Sequence, residues 1–212
     1  MFKAAGAAAR ETSDIRGARG IPPVEKWNPP FCGDLDIRIK RDGSWHYLGT
    51  PIGREAIVRL FGTILRKDED GRTYLVTPVE KVGIIVEDAH FIGVDAQLGQ
   101  GAAEGAGQGA AEGAGREAAD APRQTVTVET NHGDRAVLGP DHPLRLEHDP
   151  ETGEPAPYIL VRGRLEARLD RKCFFRLVDM AQVEDRPEGR RLGVWSSGVF
   201  YDLADAAEFE DG

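Results

Sequence analysis

Alternating apolar and polar residues mark the start of the patterned part of the chain. Within residues 34–40, leucine and isoleucine alternate with aspartate, arginine and lysine, which is typical of a strand with one buried face. Asp42-Gly43 predicts a tight turn, because glycine adopts a positive φ without steric cost. Trp45 and Tyr47 then alternate on a returning strand, so this region is predicted to form a β-hairpin.

The period changes to that of a helix after residue 50. Thr50 is the predicted N-cap, and Pro51 is suited to the first helical position. Gly71 is the predicted end signal. The apolar stripe recurs at helical spacing and comprises Ala56, Ile57, Leu60, Phe61, Ile64 and Leu65.

Two further strands are predicted at Tyr74–Val76 and Val82–Val86, separated by a break at Thr77-Pro78, where proline cannot donate to a sheet ladder. Another strand begins at Phe91–Val94. The order strand, strand, helix, strand, strand predicts a small α+β domain and not a parallel βαβ repeat.

The C-terminal half contains short strand patterns and one more helix. The helix pattern covers residues 171–181, with Phe174, Leu177, Val178 and Ala181 on one face. A loop with Pro187 follows the helix. The predicted strands are Thr125–Glu129, Arg135–Leu138, Leu144–Glu147, Tyr158–Arg164, Leu165–Leu169 and Gly193–Tyr201.

Residues 98–121 differ from the rest of the chain in composition. The octapeptide at 100–107, QGAAEGAG, is repeated without change at 108–115. Such an Ala/Gly/Glu sequence cannot bury an apolar face, so it predicts a flexible loop at a hairpin tip. Residues 1–21 are predicted to be a flexible arm, and 204–212 a loose acidic tail.

The composition bears on which partners and which cellular compartment are expected. The chain has 212 residues, 40% of them hydrophobic, and a formal net charge of −9. An acidic chain is not attracted to nucleic acid or anionic lipid by its overall charge. No apolar run reaches the roughly 20 residues of a membrane helix. The two cysteines, Cys32 and Cys173, predict reduced thiols in a cytoplasmic protein and no disulfide.

The sequence contains no recognisable catalytic motif, and no histidine pair has metal-ligand spacing. We expect no cofactor and no metal. Aromatic and charged residues near the ends of predicted elements form one constellation of interest, because arginine binds carboxylate or phosphate and aromatic rings supply contact area. Its members are Trp45, Tyr47, Arg54, Thr77, Glu80, Lys81 and Trp195.

The two helix segments also resemble each other. REAIVRL, from Arg54, aligns without gaps with RKCFFRL, from Arg171. Each segment is preceded and followed by predicted strands, which suggests duplication of a strand–helix–strand unit. Chance similarity between two amphipathic helices is an equally open alternative.

Several long motifs resemble the bacterial family of domain of unknown function 1285. They are DGSWHYLGTPIGR, VRLF, LVTPVEKV, DHPLRLE, PYILVRGRLEARLDR and GVWSSGVFY, and together they span most of residues 22–202. Two features depart from the family pattern: His90 stands where the family tends to have proline, and the Ala/Gly/Glu insertion is extra.

The resemblance implies a two-domain architecture. It implies an α+β domain at residues 22–88, then at 89–203 a pleckstrin-homology-like β-barrel capped by a helix, with duplicated strand–helix–strand elements. It further implies a ligand site at the domain interface and a role in signal transduction. Carried over by position, the candidates for that site are Arg38, Trp45, Tyr47, Arg54, Thr77, Pro78, Glu80, Lys81 and Trp195.

The leading functional prediction is a cytoplasmic, non-enzymatic module that binds a peptide, a protein or a small anionic ligand. One alternative is a nucleic-acid-binding protein, which needs Arg38, Arg54, Arg59 and Lys81 on one face. The other is a hydrolase or transferase that uses Asp34, Asp36 or Glu80 as a base. No membrane partner is expected.

Overall fold

The computed structural model describes residues 20–100, 124–149, 153–187 and 189–207, which form two compact units. The first unit contains the described residues up to Ala89 together with Gly163–Leu165. The second contains His90–Arg162 and the described residues from Glu166 onward. None of the helices in these ranges is long and apolar enough to cross a membrane.

The first unit is built on one six-stranded sheet and one helix. The sheet order is β3-β2-β1-β6-β5-β4, with β1 and β6 parallel and the other neighbours antiparallel. Helix α1 (Glu55–Thr63) connects β3 to β4. The strands are β1 (Phe31–Ile39), β2 (Trp45–Tyr47), β3 (Thr50–Pro51), β4 (Leu65–Lys67), β5 (Thr73–Val76) and β6 (Lys81–Val86).

The two faces of this sheet have different environments. One face, the helix face, carries buried side chains such as Ile39, Trp45 and Leu75, and the Trp45 ring lies 5.9 Å from the Phe61 ring of α1. The strand register places Tyr74 and Lys81 on the opposite face. The alternation that predicted β1 therefore does separate a buried core face from a second face.

The predicted helix start at Thr50-Pro51 is wrong, because these residues form β3. Leu48 and Gly49 both have positive φ, 49° and 77°, and form a two-residue turn that pairs Tyr47 with Thr50. The hairpin therefore overrides the local capping signal. Helix α1 begins at Glu55 instead, after an Arg54 N-cap that makes no side-chain capping bond.

The second unit contains a six-stranded sheet, a three-stranded sheet and helix α2 (Arg171–Asp179). The larger sheet has the order β10-β11-β12-β7-β8-β9, and the smaller is the antiparallel meander β13-β14-β15. The strands are β7 (Phe91–Gln100), β8 (Gln124–Thr130), β9 (Arg135–Val137), β10 (Leu144–His148), β11 (Pro155–Arg162), β12 (Leu165–Leu169), β13 (Gln182–Arg186), β14 (Gly189–Ser196) and β15 (Val199–Asp205).

The predicted hairpin around the Ala/Gly/Glu segment is confirmed by the pairing of β7 with β8, which extends to Gln100 and Gln124. Most of the segment itself, like most of the predicted N-terminal arm and acidic tail, lies outside the described residues. The single strand predicted at Gly193–Tyr201 is wrong: Ser197-Gly198 makes a tight turn with positive φ at both residues, and two strands result.

The predicted fold class is also wrong. Strands account for 54% and helices for 14% of the described residues, so the protein is mainly β and not an α+β domain followed by a helix-capped barrel. The three sheets include a half-barrel. The sequence prediction missed β3, β4 and β13 because they are short or rich in charged residues.

Both helices lie between strands, as in the predicted strand–helix–strand unit, and the duplication of that unit stays a prediction. Each helix leads into a three-stranded antiparallel meander, β4-β5-β6 after α1 and β13-β14-β15 after α2. The aligned segments occupy different positions relative to their helices. Arg54 precedes α1 as its N-cap, whereas Arg171 is the first residue of α2.

Ser196 joins the two sheets of the second unit through a buried hydroxyl. Its Oγ accepts a hydrogen bond from the Val126 N–H at 2.9 Å and donates one to the Leu138 carbonyl at 2.7 Å. Removing the hydroxyl deprives a buried N–H of its acceptor. We expect Ser196→Ala to lower the free energy of unfolding by about 2 kcal/mol in urea denaturation. Ser44→Ala, at an exposed turn, is the control, and equal losses for both variants would contradict this role.

The two thiols have different environments and should differ in reactivity. Cys32 is exposed, whereas Cys173 is buried in α2, where burial and then the neighbouring Asp170 raise its pKa to about 12. Since the thiolate is the reactive form, we expect a disulfide reagent at pH 8 to modify one thiol rapidly and the second only after denaturation. Cys32→Ser should remove the rapid phase. Two rapid equivalents in the native protein would contradict the burial of Cys173.

Candidate functional site

Arg66 is the centre of a polar cluster in the first unit. It lies in β4, the residue is 8% exposed, and its guanidinium donates to the carbonyls of Val24 at 2.8 Å and Trp27 at 2.7 Å. Its Nε also donates to Asp68 Oδ1 at 2.6 Å. Arg66 therefore ties the short 3-10 turn Val24–Lys26 and the following Trp27 to the sheet.

The turn between β4 and β5 positions the acidic residues of this cluster. Asp68 and Arg72 are joined by an N–H to carbonyl bond of 3.0 Å, and Gly71 closes the turn with φ of 79°. Lys81, at the start of β6, brings its Nζ to 3.0 Å from Asp68 Oδ2. Two cations thus contact one half-buried carboxylate.

The charge of Asp68 depends on those two cations. Burial alone would raise the pKa of this carboxyl, but the hydrogen bonds from Arg66 and Lys81 outweigh burial and lower the pKa below its ordinary value of 3.8. Asp68 is consequently an anion at neutral pH, stabilised by its two partners.

This shift predicts an acid-dependent loss of stability. The folded protein binds the Asp68 proton more weakly than the unfolded chain, so the contribution is complete above the ordinary pKa of 3.8 and is lost as pH falls through the lower folded value. We expect Asp68→Asn to flatten the decline of the free energy of unfolding below about pH 4. Asp179→Asn, on the exposed end of α2, is the control, and parallel curves for wild type and Asp68→Asn would refute the assignment.

The cluster extends to the second face of the sheet through Tyr74. Lys81 Nζ lies 4.4 Å and the Arg72 guanidinium 5.4 Å from the centre of its buried ring. Its hydroxyl donates to Asp70 Oδ2 at 2.5 Å, and this bond raises the pKa of Tyr74 and lowers the pKa of Asp70. The aromatic ring and its flanking cations fix the orientation of the β4–β5 turn.

The same face carries an ion pair between Arg72 and Asp34. The pair lies directly over Gly83, where a Cβ atom would collide with the Asp34 carboxylate. The Phe31 ring meets Tyr74 edge-on at 6.0 Å. Glycine at position 83 therefore gives this pair the space that it occupies.

A groove of about 510 Å³ lies beside the cluster, entirely within the first unit. This volume is in the range of small-ligand sites, although the lining is mostly polar. The 3-10 turn forms one wall, the β4–β5 turn another, and Trp27 contributes a half-exposed indole. The groove is lined by Glu25, Lys26, Trp27, Asn28, Arg66, Lys67, Asp68, Glu69, Asp70 and Arg164.

Of the site residues predicted from the sequence, Lys81 is part of this cluster. Arg38 lies on the same face of the sheet and pairs with Glu87 at 3.5 Å. Thr77, Pro78 and Glu80 belong to the β5–β6 turn, which the Thr77 hydroxyl closes by accepting the Glu80 N–H at 3.1 Å.

The remaining predicted residues lie elsewhere. Trp45 is a core residue of the helix face, Tyr47 is half-buried on the same face, and Arg54 is exposed at the start of α1. Trp195 belongs to the second unit, where its indole N–H donates to Glu184 at 2.9 Å. Within the first unit, the predicted constellation is therefore not one cluster.

The residues that line the groove were not among the site residues predicted from the sequence. Trp27 was noticeable among its prolines, and an indole in such an arm commonly contacts the domain. Arg66 gave no signal, because it falls in the continuation of the helical pattern. Its partners Val24 and Trp27 lie 42 and 39 positions earlier in the sequence.

The arginines and lysine required by the nucleic-acid alternative are divided between two faces. Arg38 and Lys81 lie on the second face, whereas Arg54 caps and Arg59 belongs to α1, which packs on the helix face. Arg38, Arg59 and Lys81 also lie within ion-pair distance of carboxylates. A continuous basic surface is thus not formed by these four residues.

The carboxylates of the hydrolase alternative are not joined by any described contact. Asp34 pairs with Arg72, Asp36 is exposed, and Glu80 lies in the β5–β6 turn. Across the part of the chain that the structure describes, no group of three His, Cys, Asp or Glu side chains is placed to bind a metal ion.

Comparison with known proteins gives matches along most of the chain. The sequence model for the N-terminal domain of DUF1285, a domain of unknown function, matches residues 22–89. The corresponding C-terminal domain model matches residues 114–203. A comparison with curated proteins gives no match.

Two solved structures are similar. A DUF1285 family protein from Silicibacter pomeroyi DSS-3 is 48% identical, with a TM-score of 0.73, over 94% of this chain and 97% of that one. A DUF1285 family protein from Shewanella baltica OS155 is 24% identical, with a TM-score of 0.44, over 68% of this chain and 91% of that one.

Proposed function

The chain belongs to the DUF1285 family, whose function is unknown, and we propose that its first unit is a non-enzymatic module that binds a peptide or small anionic ligand in the groove beside Trp27. The proposal includes a cytoplasmic location and a role in signal transduction. The exposed thiol of Cys32 is compatible with a reducing compartment.

The observation that supports the proposal is a groove whose side chains are already held in position by contacts within the protein. Arg66 donates to two backbone carbonyls and to Asp68, so its guanidinium is already fixed before a ligand arrives. Trp27 is held beside it through its own carbonyl, with its indole half-exposed. A site that is ordered in advance loses less conformational entropy on binding.

Among the residues predicted from the sequence, Lys81 supports this groove because it contacts Asp68. The other eight stay a prediction, as does the expectation that the family's site lies at the domain interface. Nucleic acid and membrane are not proposed as partners. No reaction is proposed for Asp34, Asp36 or Glu80.

Tryptophan fluorescence provides a test, because Trp27 is half-exposed whereas Trp45 and Trp195 are buried, at 2% and 9% exposed. The purified protein should be titrated with short peptides, small carboxylates and nucleotides. We expect at least one compound to change the emission saturably in wild type and not in Trp27→Phe. A screen in which every response is equal in wild type and Trp27→Phe would refute the groove as the binding site.

Thermal denaturation supplies a second readout that does not depend on the indole. A ligand present at 100 times its dissociation constant adds about 2.7 kcal/mol to the free energy of unfolding. We expect the compound that changes the fluorescence to raise the melting temperature of wild type. Glu129→Gln, at an exposed position in the second unit, is a control that should retain the full shift.

A further inference from the structure

Strand β10 lies at one edge of the larger sheet in the second unit, with β11 as its neighbour on the inner side. The backbone N–H and C=O groups on the outer side of an edge strand can pair with another strand. Arg145, Glu147 and His148 are exposed, whereas Leu144 and Leu146 are half-buried. The order of these residues determines which strand β10 can accept.

The hydrogen bonds at the two ends of β10 show which of its residues face outward. The carbonyl of Pro143 and the N–H of Asp149 both bond to the segment opposite, at 3.2 and 2.8 Å. Because the direction alternates along an antiparallel strand, the odd-numbered residues between them also face β11, and the even-numbered ones face the free edge. These are Leu144, Leu146 and His148, and among the described residues their backbone groups have no second strand as partner.

The sequence of β10 is complementary to itself in an antiparallel pair. When two copies pair about a twofold axis through Leu146, each Leu146 lies opposite the other and Leu144 lies opposite His148. Outward-facing residues thus meet outward-facing residues and can exchange their backbone hydrogen bonds. Arg145 of one copy lies opposite Glu147 of the other on both sides of the axis, so opposite charges meet.

The same charges oppose the neighbouring registers. Moving the axis by one residue sets Arg145 opposite Arg145, or Glu147 opposite Glu147, and like charges directly opposite each other destabilise a strand pair. Charged residues on an edge strand usually keep other strands away. In β10 their order complements a second copy of the same strand.

The contacts of Arg145 within its own unit hold it in place for such a pair. Its Nε and Nη2 donate to Glu166 at 2.8 and 3.0 Å, and its guanidinium lies 4.1 Å from the centre of the Tyr158 ring. Its Nη1 contacts Glu147, whose side chain is 59% exposed. The Glu147 carboxylate is therefore accessible to the arginine of a second copy.

We propose that two copies of the chain associate through β10, which joins their larger sheets into one continuous antiparallel sheet. Leu146 lies at the twofold axis, and contacts of Arg145 with Glu147 of the second copy fix the register. Because the interface is one short strand with exposed charges, the dimer is in equilibrium with the monomer and weakens as salt rises.

Sedimentation equilibrium of the full chain measures this association. We expect the mean mass of wild type to rise from that of one chain toward that of two as the protein concentration increases. Glu147→Lys sets a lysine opposite Arg145 and should weaken the dimer about tenfold or more. Glu129→Lys is the control, because Glu129 also contacts an arginine of the second unit, and it should dimerise like wild type.

A mixture of two variants tests the charge pairing itself. Arg145→Glu sets two glutamates opposite each other and should also remain monomeric. Mixed with Glu147→Lys, it restores an attractive pair on both sides of the axis, so we expect a dimer with one copy of each. Circular dichroism shows whether Arg145→Glu is folded, since this variant also loses the contact with Glu166.

Leu146→Cys locates the axis without changing a charge. In a Cys32→Ser background, oxidation with diamide should link two copies, because opposite residues of a hydrogen-bonded antiparallel pair have Cα atoms about 5.5 Å apart, within the range of a disulfide. Val137→Cys, on β9 at the other edge of the same sheet, should remain unlinked.

A wild type that remains monomeric at every concentration would overturn the proposal. A dimer that persists unchanged in Glu147→Lys would also overturn it, because another surface would then hold the copies together. If Arg145→Glu does not fold, the cross-link at position 146 replaces the mixture: its formation supports the β10 interface, and its absence in a dimeric protein overturns it.

Discussion

Arg66→Met is expected to lower the free energy of unfolding of the first unit by about 3 kcal/mol, since it removes a buried guanidinium that donates to two backbone carbonyls and to Asp68. The carbonyls of Val24 and Trp27 lose their charged partner, and Asp68 retains only Lys81. Because methionine fills part of the volume of the arginine side chain, the lost free energy of unfolding reflects the missing hydrogen bonds more than a cavity. Urea denaturation monitored by circular dichroism measures it.

Arg59→Met is the matched control for this prediction. Arg59 lies on α1, is exposed, and pairs with Glu55 at 3.6 Å one helical turn away. Such a pair contributes at most a few tenths of a kcal/mol, so we expect the control to unfold like wild type. Arg66→Met with wild-type stability would show that the 3-10 turn does not depend on this side chain.

Phe91→Ala is expected to cost about 3–5 kcal/mol of the free energy of unfolding of the second unit. Phe91 begins β7 and is fully buried, at 0% exposed. The Arg162 guanidinium lies 4.9 Å from the centre of its ring, and the His132 ring meets it edge-on at 5.4 Å. Alanine removes the ring, leaves a cavity, and deprives Arg162 of its aromatic contact.

Phe175 provides a control with the same chemistry at the surface. It lies on α2, is 51% exposed, and also has an arginine, Arg171, 5.5 Å from its ring centre. We expect Phe175→Ala to cost less than about 1 kcal/mol. Phe91→Leu, which keeps apolar volume without the ring, should fall between the two. Equal losses for Phe91→Ala and Phe175→Ala would contradict the burial of Phe91.

The elements that were predictable from the sequence are those in which the local residue pattern agrees with the way the segment packs in the fold. The alternation in β1 and the Asp42-Gly43 turn predicted the first hairpin, which the register of β1 and β2 confirms. The stripe of α2 predicted its helix, and Asp170 caps it by accepting the Cys173 N–H. In these segments propensity, pattern and packing favour the same structure.

Other elements were mispredicted because neighbouring strands determine their structure. Thr50-Pro51 has the residues of a helix start, yet the Leu48-Gly49 turn pairs it with β2. Leu65 continues the apolar spacing of a helix but pairs with Leu75 as a strand residue. Strand β13, QVEDR, is stabilised by pairing with β14 and shows no apolar alternation of its own.

The candidate site was the least predictable part, because long-range contacts assemble it. Arg66 contacts Val24 and Trp27 across the sequence, and Lys81 reaches Asp68 from another strand. A single sequence carries no record of these pairings. Aromatic residues such as Trp45 and Trp195 attracted attention instead, although both are buried.

Nuclear magnetic resonance can locate the ligand, which the first unit is proposed to bind in the groove beside Trp27. Backbone amide shifts of ¹⁵N-labelled protein should be followed during titration with the compound that gives the strongest response in the screen. We expect saturable changes at Lys26–Asn28 and Lys67–Asp70, together with the Trp27 indole N–H. Changes confined to the second unit or to the helix face, with the groove residues unchanged, would show that the ligand does not bind in the groove.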